Sequence, residues 1–444
     1  MPKRSTVLAA GAAAVVLVIA GVVTALTVSG QGPADQTTVT VRLWDDQVAK
    51  AYEASFAEFE KDNPDVNVEL SVIPWADYWE KLRTDVAGQS VDDIFWVDGG
   101  NYPVYADAGA LLDIDKTLGR DASSAWAPAV VDQYTRDGVL WGVPQLADPG
   151  IAVYYNAELL ADAGLTAADL DGLRWDPTGA DDTLLPLLER LTRDTAGQTA
   201  DSAGFDGSSL AQFGYNSAYD VQAILLNYLA SNGAEFQDGE EYAFASPKGV
   251  EAFQYMVDLI NKHHVSPSAA DTNTNGDFSR DQFLQGKMAL FQSGVYNLAN
   301  VNEGADFDWG VARLPAGPAG AISGVDGIVA AGSTASEHPA EVKRVLAWLG
   351  SAKGSSFIGA GGSASPAVLA AQQDYSDYWA SLDVDISPFY DVLENGTAPA
   401  PKGSGWPAAD NAMRPLLQEV FLGRTPVAEG VRAAQDAANA AVAK

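Results

Sequence analysis

The sequence predicts an α/β protein built from two lobes. Short apolar strands alternate with amphipathic helices along most of the chain, which is the pattern of sheets whose faces are covered by helices. The 444 residues contain too many of these units for one sheet of usual size. A hydrophobic content of 47% and a charged content of 19% are those of a chain that folds around at least one large core.

The N-terminus has the pattern of an export signal or of a signal anchor. Lys3 and Arg4 precede an uncharged apolar run over residues 7–28, which is long enough to span a bilayer if it is not removed. A lipoprotein would carry a cysteine where Gln31 stands, so a thioether-linked lipid is excluded. We assign residues 1–36 to the leader and tether. The protein is expected at the outer face of the cell membrane, tethered by the N-terminal helix or released, with no other membrane contact.

Strand and helix patterns follow one another from residue 37 onward, and their alternation predicts a largely parallel sheet with covered faces. Strands are predicted at residues 37–44, 66–73, 93–97, 140–143 and 151–155, and helices at residues 49–61, 79–86, 102–108, 184–191, 221–231, 250–261, 341–349 and 433–444. Glycine, proline and small residues cluster at 315–327 and at 359–365. These clusters are the expected places for the chain to cross between lobes.

Composition excludes several classes of function. Acidic residues outnumber basic ones 59 to 26, and a net charge of -33 repels nucleic acid. The absence of cysteine removes disulfides, thiol nucleophiles and iron–sulfur sites, and three histidines supply little for a hydrolase triad or a zinc site. No G-x-S-x-G, P-loop or H-E-x-x-H motif is present. We therefore predict no cofactor and no enzyme. Counting acidic residues does not test for the paired carboxylates of a glycosidase, because an acidic chain offers many such pairs.

One loop is a weak candidate for a calcium site. Its polar side chains stand at positions 1, 3, 5 and 7 of a calcium-binding loop: Asp271, Asn273, Asn275 and Asp277. Position 12 is Gln282, which lacks the bidentate carboxylate. Helix capping by Asp277 or Ser279 explains the same residues, so no metal is predicted.

Aromatic and polar residues gather at the predicted strand ends and turns. Ligands of α/β sheets bind beyond the carboxyl ends of the strands, and a flat aromatic face matches the C–H face of a sugar while Asp and Asn bind its hydroxyls. The pattern predicts a sugar site. The residues concerned are Trp44, Asp45, Trp75, Asn101, Tyr102, Asp148, Tyr215, Asn216, Tyr296 and Trp406.

Four sequence motifs in one order carry a resemblance to a known family. They are residues 93–102 leading to 108–112, residues 141–144 leading to 154–156, residues 283–290 leading to 293–296, and residues 308–315. In this order they resemble the extracellular solute-binding proteins of ABC sugar importers, the group that includes maltose-binding protein. The resemblance runs from about Val39 to the C-terminus.

The resemblance implies a type II periplasmic-binding-protein-like fold with discontinuous lobes joined by a hinge. Lobe 1 comprises residues 37–148 and 324–362, and lobe 2 comprises residues 149–323 and 363–444. Ligand residues are implied at matching turns, which adds Asp98, Gln222, Asp326 and Asp410 to the candidates. Tyr296 falls where relatives often carry a stacking tryptophan, and Asp326 falls where many have glycine.

The implied function is the capture of a carbohydrate, with an oligosaccharide favoured, for an ABC importer. The partners are then two permease subunits and their ATPase, and closure of the lobes around the sugar forms the surface that they recognise. Two alternatives stay open. One is a secreted glycan-processing enzyme, and the other is an anchored surface protein that senses glycans without transporting them.

Overall fold

The computed structural model describes residues 36–443, so the predicted leader lies outside them apart from its last residue. No helix among the described residues is both long and apolar enough to cross a bilayer. The strands are β1 (Thr37–Leu43), β2 (Val66–Val72), β3 (Ile94–Asp98), β4 (Thr135–Arg136), β5 (Val139–Leu140), β6 (Val143–Asp148), β7 (Ile151–Asn156), β8 (Arg193–Asp194), β9 (Leu210–Gln212), β10 (Gln237–Asp238), β11 (Glu241–Tyr242), β12 (Leu290–Gly294), β13 (Trp309–Ala312), β14 (Ser323–Gly332) and β15 (Thr397–Pro399).

The helices cover the sheets and form much of the C-terminal part of the chain. They are α1 (Asp46–Asp62), α2 (Trp75–Ala87), α3 (Tyr102–Asp107), α4 (Ile114–Leu118), α5 (Pro128–Tyr134), α6 (Ala157–Asp162), α7 (Leu184–Leu191), α8 (Leu226–Ser231), α9 (Pro247–Asn261), α10 (Ala269–Thr272), α11 (Phe278–Leu284), α12 (Leu298–Gly304), α13 (Pro339–Leu349), α14 (Ala352–Ala360), α15 (Gln372–Ser381), α16 (Ser387–Asp391), α17 (Trp406–Phe421) and α18 (Val427–Val442).

Most predicted elements lie where the sequence places them, and two differ. The helix predicted at 221–231 divides into a π-helical turn, Val221–Leu225, and α8. The strand predicted at 140–143 is wrong in its bounds, because β5 ends at Leu140 and β6 begins at Val143. β5 belongs instead to a short hairpin with β4.

The main sheet is mixed. β1 pairs in parallel with β2 and β3. β14 then pairs antiparallel with both β3 and β6, and in parallel with β15. The N-terminal strands and a strand from the second half of the chain therefore share one sheet.

A second sheet, in the order β12-β7-β13, is antiparallel throughout. The prediction of a largely parallel sheet is confirmed for β2-β1-β3 and is wrong for this part of the chain. The cause is the long run of helices between β7 and β12, because alternation of strands and helices does not set strand direction across such a connection.

The buried apolar side chains divide into three cores within the described chain. The first core joins residues 39–146 to residues 328–371. The second core joins residues 151–314 to residues 392–438. A third core packs the other face of β7 and β12 against residues 375–389. All three lie in one unit that begins at Thr37.

Both faces of β7 are covered, because successive residues of a strand point to opposite sides. Ile151 and Val153 pack in the second core, whereas Ala152 and Tyr154 pack in the third. β7 follows β6 after only Pro149 and Gly150, so this short link connects the first core to the other two.

Candidate functional site

Three carboxylates meet at one place in the main sheet. Asp98 ends β3 and Asp148 ends β6, and both strands pair with β14. In that pairing Asp326 lies directly opposite Asp148, and Ile328 lies opposite Asp98. Residues two apart on a strand share a face, so all three carboxylates point to the same side. We call Asp98, Asp148 and Asp326 the carboxylate cluster.

Neutral donors hold each member of the cluster. The backbone N–H of Asn101 donates to Asp98 Oδ1 at 2.7 Å, and its side-chain Nδ2 donates to Oδ1 and Oδ2 at 2.9 and 3.1 Å. Gln133 Nε2 donates to Asp326 Oδ1 at 2.7 Å, and the Gly327 N–H donates to the same oxygen at 2.7 Å. These bonds fix the carboxylates in place.

The third member is held from another part of the chain. Gln222 Nε2 donates to Asp148 Oδ2 at 3.3 Å. Gln222 lies in the π-helical turn, a rare conformation that is frequent at functional sites. Among the described residues, no lysine or arginine forms an ion pair with any member of the cluster.

The surroundings make ionisation of the cluster unfavourable. Burial raises the pKa of Asp148 to about 7, and the Asp326 charge adds to the rise. Burial and the Asp326 charge also raise the pKa of Asp98, against the hydrogen bonds from Asn101. Burial raises the pKa of Asp326, against the hydrogen bond from Gln133. The cluster therefore holds carboxyl groups that protonate far more readily than exposed ones.

Asp45 follows β1 at the same end of the sheet, where its side chain caps α1. Its Oδ1 accepts the backbone N–H of Gln47 and of Val48 at 2.8 and 2.9 Å. Burial raises the pKa of Asp45, while these two bonds and the charge of Arg280 oppose the rise. Within the described residues no donor bonds the second oxygen, Oδ2, which can accept a hydrogen bond from a ligand.

Tyr296 lies near two carboxylates, as a stacking residue of a sugar site would. It follows β12, and its ring lies against the backbone of Gly294, where a Cβ atom would be 2.3 Å from Tyr296 Cε1. Burial, then the charges of Asp220 and Asp148, raise the pKa of Tyr296. As a whole the residue is only partly buried.

Sequence reasoning missed Asp220 and Gln133. Asp220 caps the π-helical turn by accepting the backbone N–H of Ala223 at 2.8 Å. Its position just before the predicted helix at 221–231 is the pattern of a helix cap, which could have drawn attention to it. Gln133 lies in the last turn of α5, and nothing in its sequence neighbourhood indicates that its amide contacts Asp326.

Tryptophans line the carboxyl ends of β1 and β2. Trp44 packs edge to face against Trp75, with ring centroids 5.1 Å apart, and against Trp96, also at 5.1 Å. Trp96 is fully buried, whereas Trp75 leaves 52% of its surface exposed at the start of α2. Trp75 therefore presents an aromatic surface, and Trp44 supports it from behind.

Trp406 contacts the loop that follows β3. A Cβ atom on Gly100 would lie 2.7 Å from both Cδ1 and Nε1 of the indole, so only glycine leaves room for this ring. Trp406 begins α17 and packs against the second core, whereas Gly100 follows a strand of the first core. The contact therefore joins the two cores beside Asn101.

Four predicted ligand residues have side chains that are already engaged. Tyr215 is fully buried in the second core with its hydroxyl on Gln292, and Asn216 bonds the backbone of Gln292 through both amide atoms. Tyr102 donates to the Gln133 carbonyl at 3.0 Å. Asp410 accepts bonds from Tyr219 and Arg414. The polar groups of all four side chains therefore already have partners within the protein.

The candidate calcium loop has the conformation of two short helices and the turn between them. Asp271 lies in α10 and accepts from Ser268, while Asp277 pairs with Arg280 at 3.0 Å. Asn275 accepts the backbone N–H of Asp277. Within the described residues no group of three or more His, Cys, Asp or Glu side chains is arranged to hold a metal ion.

Comparisons with known proteins agree on one family. The family model described as bacterial extracellular solute-binding protein matches residues 45–355. The crystal structure of UspC from M. tuberculosis is 54% identical, covers 91% of this chain and 100% of its own, and superimposes with a TM-score of 0.72.

More distant relatives show the same fold. The substrate-binding protein Lmo0181 from Listeria monocytogenes, solved with cycloalternan, is 20% identical, covers 92% of this chain and 100% of its own, and has a TM-score of 0.78. The maltodextrin-binding protein MdxE of Bacillus subtilis is 26% identical over 59% of this chain and 57% of its own. The predicted periplasmic-binding-protein-like α/β fold is thereby confirmed.

Proposed function

Because the chain belongs to the family of bacterial extracellular solute-binding proteins, we propose that it captures a carbohydrate for an ABC importer. The observation that carries this proposal is the carboxylate cluster at the strand ends, with Tyr296 beside Asp148 and the exposed Trp75 at the carboxyl end of β2 as aromatic surfaces. An oligosaccharide is the favoured ligand, because the aromatic residues are spread over several elements.

The chemistry of these side chains suits a neutral sugar. Carboxylate oxygens accept hydrogen bonds from hydroxyl groups, and the amide of Gln222 can donate to hydroxyl oxygens. The faces of Tyr296 and Trp75 can pack on the apolar C–H face of a pyranose. No arginine or lysine pairs with the cluster among the described residues, so an anionic ligand would find repulsion there.

The names of relatives support a saccharide. MdxE is described as a maltodextrin-binding protein, and Lmo0181 was solved with cycloalternan. Both are distant, so they support the class of ligand and not its identity. The family consists of binding proteins that carry out no catalysis, and the glycan-processing alternative is dropped.

We propose that the lobes predicted from the sequence close around the ligand. The first core would be lobe 1, and the second and third cores would form lobe 2, linked by Pro149 and Gly150 and by two further crossings. Three contacts between the cores would then be closing contacts: Gln222 with Asp148, Trp406 with Gly100, and Glu303 with Gln47. Ligand binding would favour the closed arrangement by its higher affinity for it.

A thermal-shift screen over mono- and oligosaccharides tests the ligand class. A ligand at a hundred times its dissociation constant adds about 2.7 kcal/mol to the free energy of unfolding. We expect at least one neutral glycan to raise the unfolding temperature and to remain intact after long incubation. A screen in which only peptides or sugar phosphates bind would contradict the proposal.

Transport and glycan sensing are separated by a second experiment. We expect deletion of the gene to abolish uptake of the radiolabelled sugar that the screen identifies, because the permeases receive it only from this subunit. Normal uptake in the deletion strain would favour the sensing protein. Cell fractionation of the full chain then shows whether residues 1–36 tether the protein or are removed.

A further inference from the structure

The carboxylate cluster contains more negative charge than its surroundings balance. Asp326 and Asp148 lie directly opposite each other on neighbouring antiparallel strands, where like charges repel. Asp98 shares their face, and the N–H of Gly99 beside it lies 3.3 Å from Asp326 Oδ1. The sheet register therefore places Asp326 between Asp98 and Asp148, whose strands flank β14 on either side.

Among the described residues, the groups that face the cluster from each neighbouring element supply hydrogen bonds and further acidity, but no cation. They are Gln133 and Tyr134 on α5, Asn101 after β3, Tyr105 on α3, Asp45 after β1, Tyr154 on β7, Gln222 on the π-helical turn, Tyr296 after β12, Tyr375 on α15 and Tyr390 on α16. Arg280 and Arg414 act on Asp45 and Asp220 instead.

We infer that Asp326 is a specificity-determining residue that shares a proton with Asp98 and Asp148, so that the cluster offers a ligand an acidic hydrogen as well as carboxylate oxygens. Carboxyl groups that share a site cannot all ionise, and the neutral form carries an O–H donor. The raised pKa of Asp148 has the direction that this requires. A ring or glycosidic oxygen, which can only accept, would meet a donor there.

The shared proton can be tested without any ligand. A carboxyl group whose pKa is higher in the folded than in the unfolded protein stabilises the fold at low pH and loses that contribution as the pH rises through its folded value. Here the contribution is lost over a pH window from about 4, the pKa of an unfolded aspartate, to about 7, the pKa of Asp148 in the folded protein. We expect Asp326→Asn to become increasingly stabilising, relative to the unchanged protein, across that window, shifting the unfolding midpoint upward by at least about 1 °C more at pH 8 than at pH 5.

Controls separate this effect from a general change in charge. Asp436→Asn removes an exposed carboxylate on α18 and is expected to show no such pH dependence. Asp148→Asn repeats the test should Asp326→Asn fail to fold. Infrared spectroscopy of the unchanged protein at pH 7 should show the carbonyl band of a neutral carboxylic acid. Its absence, or a stability difference that does not vary with pH, would overturn the inference.

The second part of the inference, that the shared proton donates to a bound sugar, rests on the proposed function. A second measurement tests it separately. If one shared proton donates to the sugar, affinity falls by up to about tenfold per pH unit above neutrality. Asp326→Asn, whose amide donates at every pH, should bind the same sugar with little pH dependence. Equal pH dependence in both proteins would overturn this part. Failure of every glycan to bind would refute the proposed function while leaving the shared proton to the ligand-free test.

Discussion

We propose that Tyr296 acts on a ligand through its ring and not through its hydroxyl. Burial, and after it the charges of Asp220 and Asp148, raise the pKa of Tyr296, so the side chain stays neutral at all ordinary pH values. A neutral ring that rests on the backbone of Gly294 is a rigid surface, and rigid surfaces lose little conformational entropy on binding.

We expect Tyr296→Ala to weaken sugar binding by about tenfold or more, because aromatic contacts contribute about 0.5–1.5 kcal/mol beyond the area that they bury. Tyr296→Phe keeps the ring and should bind within about threefold of the unchanged protein. Isothermal titration with the sugar from the screen measures both. Equal losses in the two variants would show that the hydroxyl, and not the ring, contacts the ligand.

At the scale of residues, the sequence predicts ligand candidates better by strand position than by residue type. Asp98, Asp148 and Trp75 follow or end strands of the main sheet and lie at its carboxyl ends. Tyr215 is the right type of residue, but it is fully buried. Gln133 could not be found, because its contact with Asp326 joins residues 193 positions apart and leaves no local pattern.

At the scale of elements, a buried ion pair secures β1 in the first core. Arg42 is 4% exposed and donates from Nε to Asp92 Oδ2 at 2.5 Å and from one terminal nitrogen to Asp85 Oδ2 at 2.6 Å. The arginine thereby ties β1 to the end of α2 and to the segment that precedes β3.

Arg42→Met is expected to lower the free energy of unfolding by about 3–5 kcal/mol, because it leaves two largely buried carboxylates without their cation. Urea denaturation measures this loss. Arg344→Met removes an arginine whose partner Asp65 is exposed, and it should change stability far less. Comparable losses in the two variants would contradict a special role for the buried pair.

In the link between β6 and β7, the position of Gly150 leaves no space for a side chain. A Cβ atom on Gly150 would lie 2.6 Å from Val392 Cγ1 and 2.8 Å from the Phe389 carbonyl oxygen. Gly150→Ala should destabilise the protein by about 1–3 kcal/mol, because a backbone oxygen cannot move aside readily. Gly276→Ala, where no atom lies within 4 Å, is the matched control for thermal unfolding. If Gly150→Ala left the stability unchanged, the backbone of this link would have shifted to make room for the added methyl group.

Elements with strong periodicity could be predicted closely, and those set by tertiary contacts could not. α7 occupies the predicted residues 184–191 because its leucines recur at helical spacing. The antiparallel direction of β12 depends on where long connections return the chain, which no local pattern records. The π-helical turn has the composition of an ordinary helix, so its extra residue per turn is invisible in the sequence.

At the scale of the molecule, α1 of the first core meets α12 beside the third core. Gln47 Nε2 donates to Glu303 Oε2 at 2.8 Å, and Lys50 Nζ lies 3.8 Å from the same oxygen. If the cores move apart in the open protein, this contact forms only on closure.

Glu303→Ala should weaken sugar binding by about twofold to fivefold, because an exposed contact of this kind is worth about 0.2–1 kcal/mol. The loss should appear as faster release in stopped-flow measurements, since the proposed role of Glu303 is to hold the closed arrangement. Glu58→Ala is the matched control, because Glu58 pairs with Lys61 and Lys353 within the first core alone. Equal release rates in the two variants would show that the contact does not favour closure.

The number of strand and helix units and the glycine-rich crossings predict two lobes. That these lobes move relative to each other stays a prediction. The three cores are consistent with it, because none of them mixes residues 39–146 with residues 151–314. Residues 364–371 pack in the first core, beyond the crossing expected near 363. Glycine-rich composition marks a region of crossing without giving its boundary.

The position of β14 in the main sheet has a consequence for folding of the exported chain. β3 and β6 are both complete by residue 148, yet the strand that pairs with each of them begins only at Ser323. Contacts of such long sequence separation form slowly, because the entropy of closing a long loop is lost before the contacts form. The first core therefore stays incomplete until most of the chain has left the ribosome. Because such a chain folds late, it is still unfolded when it has to pass through a translocation channel.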